Sequence, residues 1–371
     1  MRFLFYTHSL VSDWNHGNAH FLRGVMRSLN ARGHQTLALE PSDSWSRQNL
    51  IADRGETALA EFDQTFPDLR WQDYGANFAH EQALDEADVV IVHEWTDPAL
   101  VARIGAHRRG SGRYQLLFHD THHRAVSAGD DIAGMDLDGY DAVLAFGENL
   151  REHYLAAGWG RQVFTWHEAA DTTLFRPMPE ILPTSDLIWV GNWGDDERSA
   201  ELEQFLIAPA EALSLKACVH GVRYPEHALE RLSQAGIDYR GWLPNARVPQ
   251  AFARYRVTVH VPRRPYVTAL PGIPTIRPFE ALACGIPLIS APWDDAEGLF
   301  RAGDMRFARD GLEMQNHLRE LLHDPEAAAA QAQQGLQTIL ERHTCDHRVE
   351  QLLSVLDSLN PATPQPQEVP A

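Results

Sequence analysis

Short apolar runs alternate with stretches of helical periodicity along nearly the whole chain, and this alternation narrows the fold more than any other feature. A parallel strand covered on both faces reads as an unbroken run of Val, Ile, Leu or Phe. The helix that returns the chain to the next strand shows apolar residues three and four apart. Candidate strands lie at 3–6, 36–39, 89–93, 115–118, 142–145 and 163–166, and again at 187–190, 216–219, 238–240, 257–261 and 287–290. Phe21, Leu22, Val25, Met26 and Leu29 fall on one helical face that ends at Gly33. Further helices are expected over 97–107, 148–157, 197–212, 225–234, 248–255 and 277–283, with successive helices from 311 to 359. The pattern predicts an α/β protein with parallel sheets. Residues 41–85, where Trp45, Trp71 and Tyr74 stand among polar neighbours, fit neither period. The Pro-rich end, 360–371, reads as a disordered tail.

Residues 176–183 carry Pro177, Pro179 and Pro183 and can continue neither a helix nor a central strand, so they read as a linker. This gives two domains, 1–176 and 177–344. Two doubly wound domains in tandem turn the carboxyl ends of their strands toward a shared crevice, where such sheets bind ligands.

Composition limits what that crevice can hold. With 32 basic against 51 acidic residues the net charge is −19, which excludes broad grip on a nucleic-acid backbone. An anionic ligand has to be held locally, by a few arginines and by N–H groups at helix starts. Cys218, Cys284 and Cys345 match no metal or redox spacing and read as buried thiols. No run approaches the ~20 apolar residues of a membrane span. The expected location is cytoplasmic.

The most informative stretch runs from Pro271 to Ile289: a Gly/Pro loop, a short helix, Gly285 to end it, then a strand. The N–H groups of Thr275, Ile276 and Arg277 would point from the helix start toward a phosphate, with the Arg277 guanidinium adding charge. Glu280, in the helix, suits a ribose diol, or equally serves as a first-turn carboxylate.

The run Phe279-Glu280-Ala281-Leu282-Ala283-Cys284-Gly285-Ile286-Pro287-Leu288-Ile289 resembles the signature of retaining group 1 glycosyltransferases. The resemblance implies the GT-B fold, two Rossmann-like domains facing a central cleft, and a ribose-binding role for Glu280. The family often has a second glutamate eight positions earlier; Gly272 stands there, a departure similar to the divergent branch that includes CgeB-like spore-coat proteins. His167-Glu168-Ala169-Ala170-Asp171 with Phe175 and Pro177 resembles the family's interdomain passage, although Asp171 also suits a helix N-cap. The resemblance further implies that the last helix, 345–359, crosses back to the first domain.

Other residues take their roles from the same likeness or, for Arg223 and Arg263, from their places at strand ends. Gly191, Asn192 and Trp193, followed by Arg198, correspond to a glycine turn at the donor phosphates. Gly221 with Arg223, and Arg263, stand at strand ends within reach of phosphate, or form surface ion pairs. Gly241, Trp242 and Leu243 resemble the segment that meets the nucleobase. In the first domain, His16, Gly17 and Asn18 lie on the acceptor side, and His119, beside Asp120, matches a histidine that meets the transferred sugar. The cluster His119, His122 and His123 with Asp120 could alternatively ligate a metal, but no matching cluster completes a site, so no metal and no cofactor beyond the donor are expected. The expected reaction is retaining transfer from a nucleotide-diphosphate sugar to an acceptor that the sequence does not identify. His119, Arg277 and Glu280 are its catalytic candidates. A GT-B-type epimerase or phosphorylase, and a non-catalytic scaffold of the same fold, are the alternatives.

Overall fold

The computed structural model describes residues 1–15, 17–110 and 112–359. The expected tail, 360–371, lies outside the described residues. Seven strands form the first sheet: β1 (Arg2–Tyr6), β2 (Gln35–Pro41), β3 (Trp71–Tyr74), β4 (Val89–His93), β5 (Gln115–Asp120), β6 (Ala142–Ala145) and β7 (Val163–Thr165). Their order is β3-β2-β1-β4-β5-β6-β7. The second sheet holds β8 (Ser185–Val190), β9 (Ala217–His220), β10 (Asp238–Tyr239), β11 (Tyr255–His260), β12 (Leu288–Ser290) and β13 (Arg306–Phe307), in the order β10-β9-β8-β11-β12-β13. Every pairing is parallel. The chain starts each sheet near its middle, builds outward, then returns to the other side. The reversal points therefore lie between β1 and β4 and between β8 and β11.

Local sequence explains most of this. All five residues of β4 are buried, which is why its apolar run is continuous. Residues 41–85 escaped the pattern because β3 is an edge strand whose Gln72 and Asp73 are exposed, and the flanking helices Trp45–Arg54 and Thr57–Thr65 bury few side chains. The helix expected over 197–212 is instead built of short α-helical pieces around a widened π turn at Glu203–Ile207. Pro209 is the cause: it has no N–H to donate backward, and its ring crowds the carbonyl of the preceding turn.

The last described helix, Cys345–Leu359, lies on the first domain. Its Val349, Leu352 and Leu356 are buried against the helix Ala19–Ala31 and the first sheet's core. Each such side chain contributes roughly 1.5–3 kcal/mol on burial. Trp166 Nε1 donates to the Arg348 carbonyl at 2.8 Å. Where the chain re-enters the first domain, Thr344 pairs in parallel with Ala170. No helix is long and apolar enough to cross a membrane among the described residues.

Candidate functional site

The two reversal points face each other. At the end of β8 the chain turns through Gly191-Asn192-Trp193-Gly194. A Cβ at Gly221, which follows the neighbouring β9, would collide with the Gly191 carbonyl oxygen, so the two turns pack backbone to backbone. Asn192 accepts from the Val222 N–H at 2.9 Å and reaches across to Asn15 in the first domain at 2.5 Å. Arg198 lies beneath the turn, donating to the carbonyls of Asn192 (2.5 Å) and Val261 (3.0 Å). Burial, with Arg263 and Arg277 nearby, lowers its pKa to about 9, so it stays charged at neutral pH.

The helix Ile276–Ala283 starts beside this turn. Its N-cap residue, Thr275, makes no side-chain capping bond. Ile276 is packed against Gly17 of the first domain. Arg277 pairs with Glu280 one turn on. His260, under the same helix start, is pushed down to about 3 by burial and by the guanidiniums of Arg198 and Arg277, and stays neutral. Glu280 is fully buried. His20, from the first domain, meets its Oε1 at 2.7 Å, and Asn245 Nδ2 lies 3.5 Å from the same oxygen. The Asp171 N–H donates to His20 Nε2 at 2.8 Å, which leaves the ring proton on Nδ1, toward Glu280.

The opposing wall is built from the ends of β4, β5 and β7. Glu94 is buried, with His93 Nδ1 2.9 Å away. Asp120 accepts from Tyr154 Oη at 2.7 Å and from the His122 N–H at 3.0 Å. Burial first, and then the neighbouring Glu94, push its pKa up to about 8, so it is mostly protonated at pH 7. Glu168, also buried, is raised well above the carboxyl range by burial and by Glu280; its Oε1 has no hydrogen-bond partner. His122 is pushed down to about 2 by burial and by its cationic neighbours. Among the described residues no group of three or more His, Cys, Asp or Glu is arranged to hold a metal ion.

Residues 198–354 match the glycosyl transferase-like family. Among solved structures the fold is similar to that of Anabaena Alr3699/HepE in complex with UDP-glucose, with a TM-score of 0.68 at 13% identity over 96% of this chain and 100% of that one. Sucrose-phosphate synthase from Thermosynechococcus elongatus gives 0.65 at 13% over 98% and 100%. Phage T4 BGT with its UDP-glucose substrate gives 0.60 at 10% over 97% and 99%. The chain has the GT-B fold. No curated protein matches it in sequence.

In this GT-B fold the expected site residues separate into groups. Gly191, Asn192, Arg198, Gly221, Thr275, Ile276, Arg277 and Glu280 surround the second domain's reversal point. Arg263 stands at its rim, paired with Glu197 at 3.0 Å. Arg223 is further out, exposed and paired with Asp195 at 3.0 Å. Trp193 is buried in the second domain's core against Tyr224 and His227, away from the cleft. Trp242 closes one flank: its Nε1 donates to Asp13 of the first domain at 3.0 Å, and Leu243 follows it half-buried. Gly241, in the left-handed region with φ 67°, makes the turn into this segment. Asn18 donates to Thr121 Oγ1 at 2.6 Å; His16 lies outside the described residues.

His119 differs from its expected place. Its ring is buried against Trp166, Phe21 and His93, and it lines a cavity of about 20 Å³ inside the first domain. Space of that size suits one water rather than a sugar. Burial keeps the ring well below its ordinary pKa.

Gly272, the position of the absent family glutamate, has a physical explanation. A Cβ there would come 2.7 Å from Cγ of Glu297, and its φ is +86°. The Glu297 carboxylate instead accepts from the Glu148 N–H at 2.8 Å and pairs with His167 at 2.8 Å, both in the first domain. Neither Glu297 nor His20 lies in any motif of the sequence, and no local signal marks them. A cavity of about 740 Å³ opens at the amino-terminal ends of β1 and β2, on the sheet edge opposite the reversal point, where such folds do not place their ligands.

Proposed function

We propose that the chain transfers a glycosyl group from a nucleotide-diphosphate sugar to an acceptor hydroxyl, with retention at the anomeric carbon. One observation carries this reading. In a chain of net charge −19, Arg198, Arg263 and Arg277 stand within electrostatic reach of one another at an uncapped helix start. That is where negative charge on a departing diphosphate would be stabilised. The UDP and UDP-glucose bound by HepE and by BGT support a donor of this class, and the resemblance at 279–289 supports retention.

Arg277 and the first-turn N–H groups would face the diphosphate. Glu280 would hold the ribose once His20 withdraws, because the carboxylate is wholly enclosed. The Asn15–Asn192, Asp13–Trp242 and His167–Glu297 contacts part with it, opening the cleft to the donor. Their re-formation around the bound donor would exclude water.

Calorimetry with UDP, GDP and ADP and their glucose conjugates, on wild-type protein and on Glu280→Ala, tests the donor reading. A chain that binds none of them is no transferase of this kind. NMR of the product's anomeric proton tests retention, and an inverted product would remove that part. A scaffold reading draws on Glu297 filling the space beside Gly272; nucleotide binding without turnover for any acceptor would favour it.

A further inference from the structure

We propose that the acceptor is a neutral carbohydrate whose ring stacks on Trp95. The inference rests on the donor reading above and assigns the other half of the same cleft.

Trp95 follows β4 directly, at the first domain's reversal point, and its side of the cleft lies across from the Arg277 helix. It is 46% exposed, although the protein buries most of its aromatic rings. It is nevertheless held in place. The Arg124 guanidinium lies over the indole at 4.2 Å and donates to the Glu94 carbonyl at 3.0 Å, and the His122 ring meets it edge-on at 5.5 Å. A large apolar surface fixed in position and left open to solvent suits a flat apolar partner, and the C–H face of a pyranose is one.

The polar atoms around the indole narrow the partner further. Thr96 Oγ1 and His122 Nδ1 are buried without a hydrogen-bond partner. Such atoms are costly unless a ligand or water satisfies them. Neutral His122 offers one N–H and one lone pair, and a threonine hydroxyl likewise both donates and accepts. A sugar hydroxyl has the same dual character, so it can satisfy either group in either sense once a side-chain rotation brings that atom to the surface. Arg124, the cation beside the indole, is already taken by the Glu94 backbone carbonyl and by Asp131 at 3.3 Å, which disfavours an anionic acceptor. A second aromatic pair stands on the same domain: Trp45, 44% exposed at the start of the helix that follows β2, packs edge-on with Trp14 at 5.4 Å. Strands β2, β1 and β4 are neighbours, so these rings stand along one edge of the sheet, as successive units of an oligosaccharide would require.

The test uses the full chain saturated with UDP and probed on an array of neutral oligosaccharides, followed by calorimetry with maltotriose, cellotriose and chitotriose. The expected result is binding to at least one class of saccharide, weakened tenfold or more by Trp95→Ala and less by Trp95→Phe. Trp45→Ala should weaken longer saccharides more than short ones. Absence of saccharide binding across the array, an unchanged affinity in Trp95→Ala, or selective binding of nucleosides or peptides instead would overturn the proposal. UDP affinity, measured in the same calorimeter, separates the two readings. UDP bound without saccharide defeats this inference alone, whereas saccharide bound without UDP defeats the donor reading.

Discussion

The two walls of the cleft treat their charged groups differently. On the second-domain wall each guanidinium has an acceptor: Arg198 has backbone carbonyls, Arg263 has Glu197 and Arg277 has Glu280. On the first-domain wall, buried groups lack partners or are held neutral: Thr96, His122 and Glu168 have unpartnered atoms, and Asp120 is mostly protonated at pH 7. The first arrangement is preorganised for fixed negative charge, as a diphosphate carries. The second sets neutral donors and acceptors beside a guanidinium, Arg124, that is already paired with Asp131, and under the proposal above it serves hydroxyls. Under the proposed function a single cleft thus divides into an ionic half and a hydroxyl-binding half.

The sharpest way to break this division is Arg277→Met. If the ionic half stabilises the leaving group, kcat should fall about 100- to 1000-fold, the size seen when one preorganised charge-stabilising group is removed. Steady-state kinetics with a saturating donor would show it, and a loss under tenfold would place the stabilising charge elsewhere. Asp120→Asn probes the other wall through pH. The acid's pKa of about 8 in the folded protein lies above the ordinary carboxyl value. Its contribution to stability is therefore intact below about pH 4 and lost as pH rises toward 8. Urea denaturation should show wild type losing ground to the variant across that window, by about 1.4 kcal/mol for each step of one in pH, with no further change above it. A pH-independent difference would mean that the carboxyl is ionised throughout.

Smaller effects sharpen the boundary between the walls. Gly272→Glu, which restores the usual family residue, should destabilise by about 1–3 kcal/mol in thermal unfolding, because it meets Glu297 and a positive φ. Glu297→Gly in the same chain should recover part of that loss. His20→Ala removes the partner that closes Glu280. Nucleotide affinity should rise about fivefold by calorimetry, the worth of roughly one hydrogen bond near 1 kcal/mol. Arg223→Ala, at an exposed ion pair, should change stability and donor affinity by no more than about 0.5 kcal/mol.

The architecture was readable because parallel strands such as Val89–His93 leave an unbroken apolar run, and because Phe279–Ile289 keeps helix, glycine and strand in fixed order. The two parallel sheets agree with the expected fold class. The candidate site's geometry was legible only where it lies along one stretch of chain, as in the turn at 191–194 and the helix start at 275–280. His20 meets Glu280 across 260 positions, and Glu297 fills the space beside Gly272 from another loop. Such pairings depend on how two domains dock, and local periodicity carries no trace of them. His119 shows the converse. Its position at a strand end was legible, but the direction of its ring was decided by packing against Trp166 and Phe21.

The chain passes between the domains twice, and the two passages run side by side where Ala170 pairs with Thr344. Backbone hydrogen bonds of 3.0 and 2.9 Å join Ala170 to His343 and Cys345 there. Two adjacent crossings define a hinge line, as two pins hang a door. The halves can swing about that line, but neither can rotate freely about a lone tether. Each opening should therefore return the Arg277 helix and the Trp95 wall to the same alignment, without the chain having to search for it.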